Sequence, residues 1–202
     1  MMDIIDKGLK FTNELLTFNR EPSLLILHHE AASSATVEEI HNYHIQHNGW
    51  SGIGYHLYVR KDGSVYRGRP IDKIGGHTLN YNSKSIGICC EGNFEVEQMS
   101  DKQYNALREA VAYVQSVYPG ISIRGHRELN ATACPGKYFP LQEVKIKMER
   151  IKTIKDVPES LRKETQELID SGALKGNSNG LDVTLDMLRC MIISKRYIDS
   201  KK

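Results

Sequence analysis

SLLILHH, residues 23–29, is a short apolar run that ends in two histidines. Leu24, Leu25, Ile26 and Leu27 leave no polar face. Such a run suits a strand buried on both sides, as in a sheet covered by helices. The ends of central strands in an open α/β sheet line its cleft. Side chains alternate along a strand, so His28 and His29 point to opposite faces and only one of them can face that cleft.

Working outward, TVEEIHNYHIQHNGW (36–50) opens with Thr36 and carries Glu39 three residues later. This is a capping box at a helix start. Val37, Ile40 and His44 fall at helical spacing, and Asn48-Gly49 supplies a stop. His41, His44 and His47 are spaced by three and rotate around the helix, so all three cannot converge on one ion. GIGYHLYVR (52–60) alternates and reads as a strand, which groups Tyr55 with Ile53, Leu57 and Val59 toward the core. KDGS (61–64) is a hairpin turn from which VYRGR returns, and SIGICCEG (85–92) is a further strand. SDKQYNALREAVAYVQSVYPG (100–120) predicts a helix with a Ser100/Gln103 capping box. Its inner face is Leu107, Ala110, Val111, Val114 and Val117. ISIR (121–124) is a short strand that delivers the chain to His126.

Strands and helices thus mix over the first part of the chain. The expected fold is an α/β domain over residues 1–150, with a central, mainly mixed β-sheet flanked by helices. The character changes near TIKDVPES (153–160), where Pro158 opens a helix to about Ser171. GNSNG (176–180) is a loop, and TLDMLRCMIISKRYI (184–198) a second helix. Residues 151–202 therefore read as a small helical C-terminal module. Its apolar positions are Val157, Leu161, Leu168 and Ile169, then Leu185, Leu188, Met191, Ile192 and Ile193. Two short helices bury little surface alone, so they are expected to pack on the first domain, on a second copy or against a ligand.

The 202 residues are 40% hydrophobic and 26% charged, a globular composition. The formal net charge of +2 is too small to argue for a nucleic-acid partner. It is unevenly spread: residues 1–140 carry a net −1 and residues 141–202 a net +3. No stretch is apolar enough to span a membrane, and the acid-bearing start MMDIIDKGLKFTNELLTF is not a secretory signal. Synthesis in the cytoplasm without an export address is the expectation. Four cysteines are too few for a disulfide framework. Cys89 and Cys90 sit on a strand and Cys190 in an apolar helical run, so all three read as small core hydrophobes.

Cys134 is different. GHRELNATACPG (125–136) sets it in a loop before Pro-Gly, eight positions after His126. A catalytic zinc site takes three protein ligands and keeps one position open. A loop with two ligands needs a third from elsewhere, and His28 at a strand end is a candidate. The spacing within the loop fits no common closed zinc motif.

The chain resembles the zinc-dependent N-acetylmuramoyl-L-alanine amidases. That superfamily includes phage lysozyme-type endolysins and the peptidoglycan recognition proteins. LILHHEAA, HNGWSGIGYHLYVRKDGSVYRGRP, GGHTLNYNSKSIGICCEG and IRGHRELNATACPGKYFP carry the resemblance, in the family's order, over about residues 20–145. The nearest likeness is to endolysins from phages and prophages of clostridia-like Gram-positive hosts. The resemblance implies Zn2+ held by His28, His126 and Cys134, which lowers the pKa of a bound water and polarises the substrate carbonyl. It implies a catalytic role for Tyr55. Thr132 stands where some members carry a transition-state lysine, and brings a hydroxyl without charge. Cys89 stands where other branches carry a catalytic glutamate, and Glu91, two residues on, shares its strand face and either reaches the same cleft or is a structural carboxylate at the strand end. His77 and Asn82 are placed near the substrate peptide or the metal-bound oxygen. Trp50 either stacks in a groove or packs at the helix end.

The implied reaction is hydrolysis of the amide between N-acetylmuramic acid and L-alanine in bacterial peptidoglycan, causing cell lysis. The basic tail suits an anionic wall polymer, with self-association into a homo-oligomer as the alternative. One rival is a recognition module that binds without cutting, but such members usually lack the cysteine ligand. Others are a host autolysin or wall-recycling amidase, and a structural zinc in a protein of other function.

Overall fold

The computed structural model describes residues 3–148, 150–176, 180–181 and 183–201. The chain divides into two compact units, residues 1–141 and 142–202.

The first unit is built on a six-stranded mixed sheet. Its strands are β1 (Ile4–Ile5), β2 (Leu24–His29), β3 (Leu57–Val59), β4 (Val65–Arg67), β5 (Ser85–Cys90) and β6 (Ser122–Gly125), in the spatial order β1-β4-β3-β5-β2-β6. Only β3 and β4, joined by the hairpin, run antiparallel. β2 lies between β5 and β6, and its Leu25, Ile26 and Leu27 are fully buried, as the unbroken apolar run requires.

Register does the positioning. On β2, Leu27 lies opposite Gly125 of β6, and His28 lies opposite Cys89 of β5. β2 and β6 are parallel, so the residues that follow this pair, His28 and His126, emerge side by side at one end of the sheet. Gly87 of β5 makes room for a third histidine, since a Cβ there would fall 2.6 Å from the His77 ring. Only glycine lets that imidazole lie close on the sheet.

Helix α1 (Val37–Gln46) starts at the expected box. Thr36 Oγ1 accepts the Glu39 amide, and the Glu39 carboxylate accepts the Thr36 amide. Helix α2 (Asp101–Val117) departs from expectation twice. Ser100 caps Gln103, but the Gln103 side chain does not return to Ser100. Its amide instead donates to the buried carbonyls of Val59 and Glu91, at 3.2 and 2.8 Å. Val117, expected inside, is 38% exposed because the helix ends there.

The strand expected over 52–60 is also shorter, regular only over Leu57–Val59, with backbone bonds continuing from Tyr55 and His56 to Arg69, Gly68 and Gly87. Gly52 has φ +145°, outside strand geometry. The amides of Ile53 and Gly54 donate to Nδ1 of His41 and His44 at 3.2 and 3.1 Å rather than to a neighbouring strand. Tyr55 packs at the edge of the core cluster of Val37, Ile40, Ile53, Tyr58 and Cys89 and also lines a cavity.

The second unit holds more than two helices. α3 (Leu141–Met148) starts one residue before the division between units, and α4 (Glu159–Asp170) and α5 (Leu185–Asp199) follow. Two short strands, β7 (Arg150–Ile151) and β8 (Val183–Thr184), pair antiparallel. Ile151, Val157, Leu168, Leu174, Val183, Leu185, Leu188 and Ile192 form its own core. The strand pair and Leu174 thus add to the apolar surface that the two helices bury. Ile193 is 64% exposed and Cys190 is exposed, so neither belongs to that core. Residues 177–179 of the expected GNSNG loop lie outside the described residues. No helix among the described residues is long and apolar enough to cross a membrane.

Candidate active site

His28, at the end of β2, meets His126 and Cys134 from the loop after β6. One ligand-type atom from each lies within 4.8 Å of the others. The His28 and His126 ring centroids are 4.6 Å apart, and His28 Nδ1 is 3.6 Å from Cys134 Sγ. The backbone amide of His29 donates to Cys134 Sγ at 3.4 Å and pins the sulfur against the strand. The His29 ring turns away, and its Nδ1 accepts the Phe94 amide at 3.1 Å. Strand alternation therefore separates the two adjacent histidines.

The second nitrogen of His28 has partners. His28 Nε2 lies 3.0 Å from His77 Nδ1 and 3.3 Å from Thr78 Oγ1. His77 Nδ1 also lies 2.9 Å from Thr78 Oγ1, while its Nε2 is buried without a hydrogen-bond partner among the described residues. The other nitrogen of His28, Nδ1, faces Cys134.

Electrostatics points the same way. Burial, with His126 and His29 adding to it, holds His28 well below the ordinary imidazole value. Burial lowers His126 too. Both rings are neutral at pH 7, as metal ligands must be. Burial pushes the Cys134 thiol up to about 11, so a thiolate here calls for a cation beside it. Two neutral imidazoles and one thiol converging on one point fit zinc by number and by ligand type.

Tyr55 stands beside the cluster, its ring centroid 5.2 Å from that of His28. Burial, then the nearby Cys89 and Cys134 thiols, hold the phenol well above its usual range. It is protonated at neutral pH and acts as a donor. Tyr55 also lines a cavity of 430 Å³ together with Glu30, Ile40, Tyr43 and His44.

The N-acetylmuramoyl-L-alanine amidase family matches residues 18–137 of the chain, a span that contains the whole cluster. The chain belongs to this family. The amidase is 36% identical over 126 residues to peptidoglycan-recognition protein SC2 of Drosophila melanogaster, covering 56% of this chain and 68% of that one. It is 33% identical over 125 residues to the endolysin of Klebsiella phage KP32, covering 57% and 82%. Its fold superimposes on the N-acetylmuramoyl-L-alanine amidase LysC from Clostridium intestinale URNW with TM-score 0.68 and 36% identity, covering 72% of this chain and 96% of that one. The family match ends before the second unit begins.

Other expected residues of the amidase occupy different places. Glu91 is not open to substrate. Its carboxylate accepts Arg60 twice, at 2.9 and 3.1 Å, the Lys61 amide at 2.8 Å and Ser34 Oγ at 3.0 Å. Asn82 is a loop clamp, its Oδ1 accepting the amides of His77 and Thr78, both at 2.8 Å. His77 is buried behind His28 rather than facing the cavity. Thr132 is exposed and accepts the Cys134 amide at 3.2 Å, which leaves its own hydroxyl proton free. Trp50 is 40% exposed and packs 4.8 Å from His44, so it both packs and presents a surface. Cys89 is fully buried under Tyr55. Sequence reasoning missed Thr78, a hydroxyl within reach of His28; its place next to His77 in GGHT was the available signal.

Proposed function

We propose that this peptidoglycan amidase is zinc-dependent, with His28, His126 and Cys134 as ligands, and that it acts as a lytic enzyme. The observation that carries the reading is the convergence of those three side chains beside a protonated tyrosine. Zinc in that site supplies Lewis-acid polarisation and a nucleophile at neutral pH. The chain's own residues do the rest. His77 and Thr78 hold the His28 ring in one orientation. Tyr55 donates a hydrogen bond to the substrate carbonyl oxygen as negative charge grows there. The free proton of Thr132 offers a second, uncharged donor at the rim. The cavity beside Tyr55 seats the muramoyl-peptide and keeps the scissile amide in line.

The expected reaction releases the stem peptide from N-acetylmuramic acid and leaves the glycan strand whole. The second unit, with its excess of basic residues, serves as a wall-attachment module toward an anionic polymer, with self-association as the alternative. In this reading the enzyme waits inside the cell until the membrane is breached, as a phage or prophage endolysin does. Mass spectrometry of digested peptidoglycan tests the reaction. New L-alanine amino termini with no new reducing ends support it. New reducing ends refute it, and tight binding without any cleavage returns the chain to the recognition-module class.

A further inference from the structure

We propose that the outer face of α5 joins the second unit to its counterpart on a second copy of this chain. The inference stands apart from the amidase reading, because α5 lies wholly in the second unit.

The 15 residues of α5 carry apolar side chains on two opposite sides. One side faces in: Leu185, Leu188 and Ile192 are buried in the unit's own core, with Met191 packed against it. The turn of about 100° per residue gathers Met187, Cys190, Ile193, Ser194, Tyr197 and Ile198 on the other side. From 187 to 198 that side carries no charged residue. Met187, Ile193, Tyr197 and Ile198 are 47%, 64%, 65% and 55% exposed, and Cys190 is exposed among them. A helix at the surface of a domain is ordinarily polar on its outer side, and one that is apolar all round is buried. The outer side of α5 has the composition of a buried face. Its side chains leave on the order of 500 Å² open, near the upper end for the largest apolar patch on a monomer. Two copies joined over it bury about 1,000 Å², the size a specific interface needs.

Charge decides the occupant. An anionic wall polymer calls for cations, and the stripe has none; Lys155 and Lys163, exposed and outside α5, suit that partner. Of the cations beside the stripe, Lys195 Nζ bonds Glu167 and Asp199, both at 2.8 Å, and Arg196 pairs with Glu164. A second copy therefore meets neither of them as an unpaired like charge. Arg189 stands at the edge, and Lys201 lies over the end of the stripe, 5.6 Å from the Tyr197 ring centroid. Both belong to the polar rim that surrounds an apolar interface. Cys190 and Ser194, one turn apart in the middle of the stripe, are its smallest side chains and let two helices approach closely. An antiparallel crossing there sets Met187 of one copy near Tyr197 of the other, so the same patch completes itself about a two-fold axis.

Light scattering of the purified full-length protein in reductant, from about 1 to 100 µM, tests the pairing over the range of a small interface. The wild type should reach twice the mass of one chain. Ile193→Glu and Tyr197→Glu place a charge on an exposed helix position, so melting temperature and cleavage should stay as they are. Each should weaken self-association about 100-fold or more, since a two-fold interface meets the change twice. Val96→Glu, at a position 77% exposed in the first unit, should pair like the wild type. Cys190 supplies a second readout. A bismaleimide should link two wild-type chains through it, and should link neither Cys190→Ser nor Ile193→Glu. A wild type that stays monomeric throughout overturns the proposal, as does an Ile193→Glu variant that pairs normally or a Val96→Glu variant that loses pairing equally. A monomer whose pull-down on walls falls with Ile193→Glu gives the stripe to the wall polymer and overturns it too. A wild-type dimer that cleaves no muramoyl-peptide would strike the amidase reading and leave this one standing.

Discussion

His77→Leu should weaken zinc binding without touching a ligand. His28 is held through Nε2 by His77 Nδ1 at 3.0 Å and Thr78 Oγ1 at 3.3 Å. The shorter bond carries the ring's orientation. Leucine is close to histidine in bulk and still fits over Gly87, so packing over the sheet survives. The loss is then one acceptor for a buried N–H, about 1–3 kcal/mol. That converts to roughly 5- to 150-fold in zinc affinity and agrees with the 10- to 100-fold typical of groups that orient a ligating histidine. Part of the cost is tautomeric: without His77, the His28 proton no longer prefers Nε2 and competes for the nitrogen that faces Cys134. Thr78→Val removes the longer bond and should cost only about threefold. His77→Asn puts an oxygen where Nδ1 was and should recover most of the affinity. Competition against a chromophoric chelator at pH 7 measures all three, and nitrogen chemical shifts of His28 report the tautomer. If His77→Leu folds normally and binds zinc as tightly as the wild type, the contact between His28 and His77 does no positioning, and the reasoning fails.

Tyr55→Phe should keep fold and zinc but slow cleavage by roughly 10²- to 10⁴-fold, the range for a positioned donor at a developing charge; a near wild-type rate would return Tyr55 to a packing role. Glu91→Gln should destabilise the protein at pH 7 by about 2–3 kcal/mol, because it strips the charge from a buried bidentate pair with Arg60. Burial alone would raise the Glu91 carboxyl, but its bonds to Arg60, Lys61 and Ser34 outweigh that and hold it below the usual carboxylate range. Its contribution is therefore full above the ordinary value near 4.3 and lost as pH falls through the lowered one, so the gap between Glu91→Gln and wild type should close in acid. A gap of equal size at pH 7 and pH 3 in urea melts would sink the assignment. A chain ending at Arg150 should keep zinc and cleave soluble fragments but pull down on intact walls less well, since one attachment point is gone; undiminished wall binding counts against the attachment role, and a halved light-scattering mass would then favour the dimer.

Much of the fold was legible because its signals are local. The apolar run before His28, the Thr36/Glu39 box and the Asp62-Gly63 turn each specify a structure within a few residues. Alternation showed that only one of His28 and His29 can face the cleft, the resemblance pointed to His28, and β6 leads straight into His126. What escaped depends on groups far apart in sequence. The expected strand is cut short before Tyr55, where His41 and His44 take the amides of residues 53 and 54. Glu91 was open to two readings, a cleft residue or a structural carboxylate at the strand end, and Arg60, 31 residues away, holds it in the second. His77 was expected near the substrate peptide or the metal-bound oxygen; its contact with His28, not legible in the sequence, spans 49 positions and rests on the absence of a side chain at Gly87. The family's pattern located the cluster; register and these distant hydrogen bonds explain its geometry.

Zinc content measured alongside amide cleavage tests the central claim most directly. The purified wild-type chain should hold one zinc, lose cleavage on chelation and regain it when zinc is returned. His28→Ala, His126→Ala and Cys134→Ala should each lose both metal and activity, whereas His29→Ala and His47→Ala should keep the metal. Full cleavage by protein shown to be free of zinc, or a His29→Ala variant that loses the metal while His28→Ala retains it, would contradict the account.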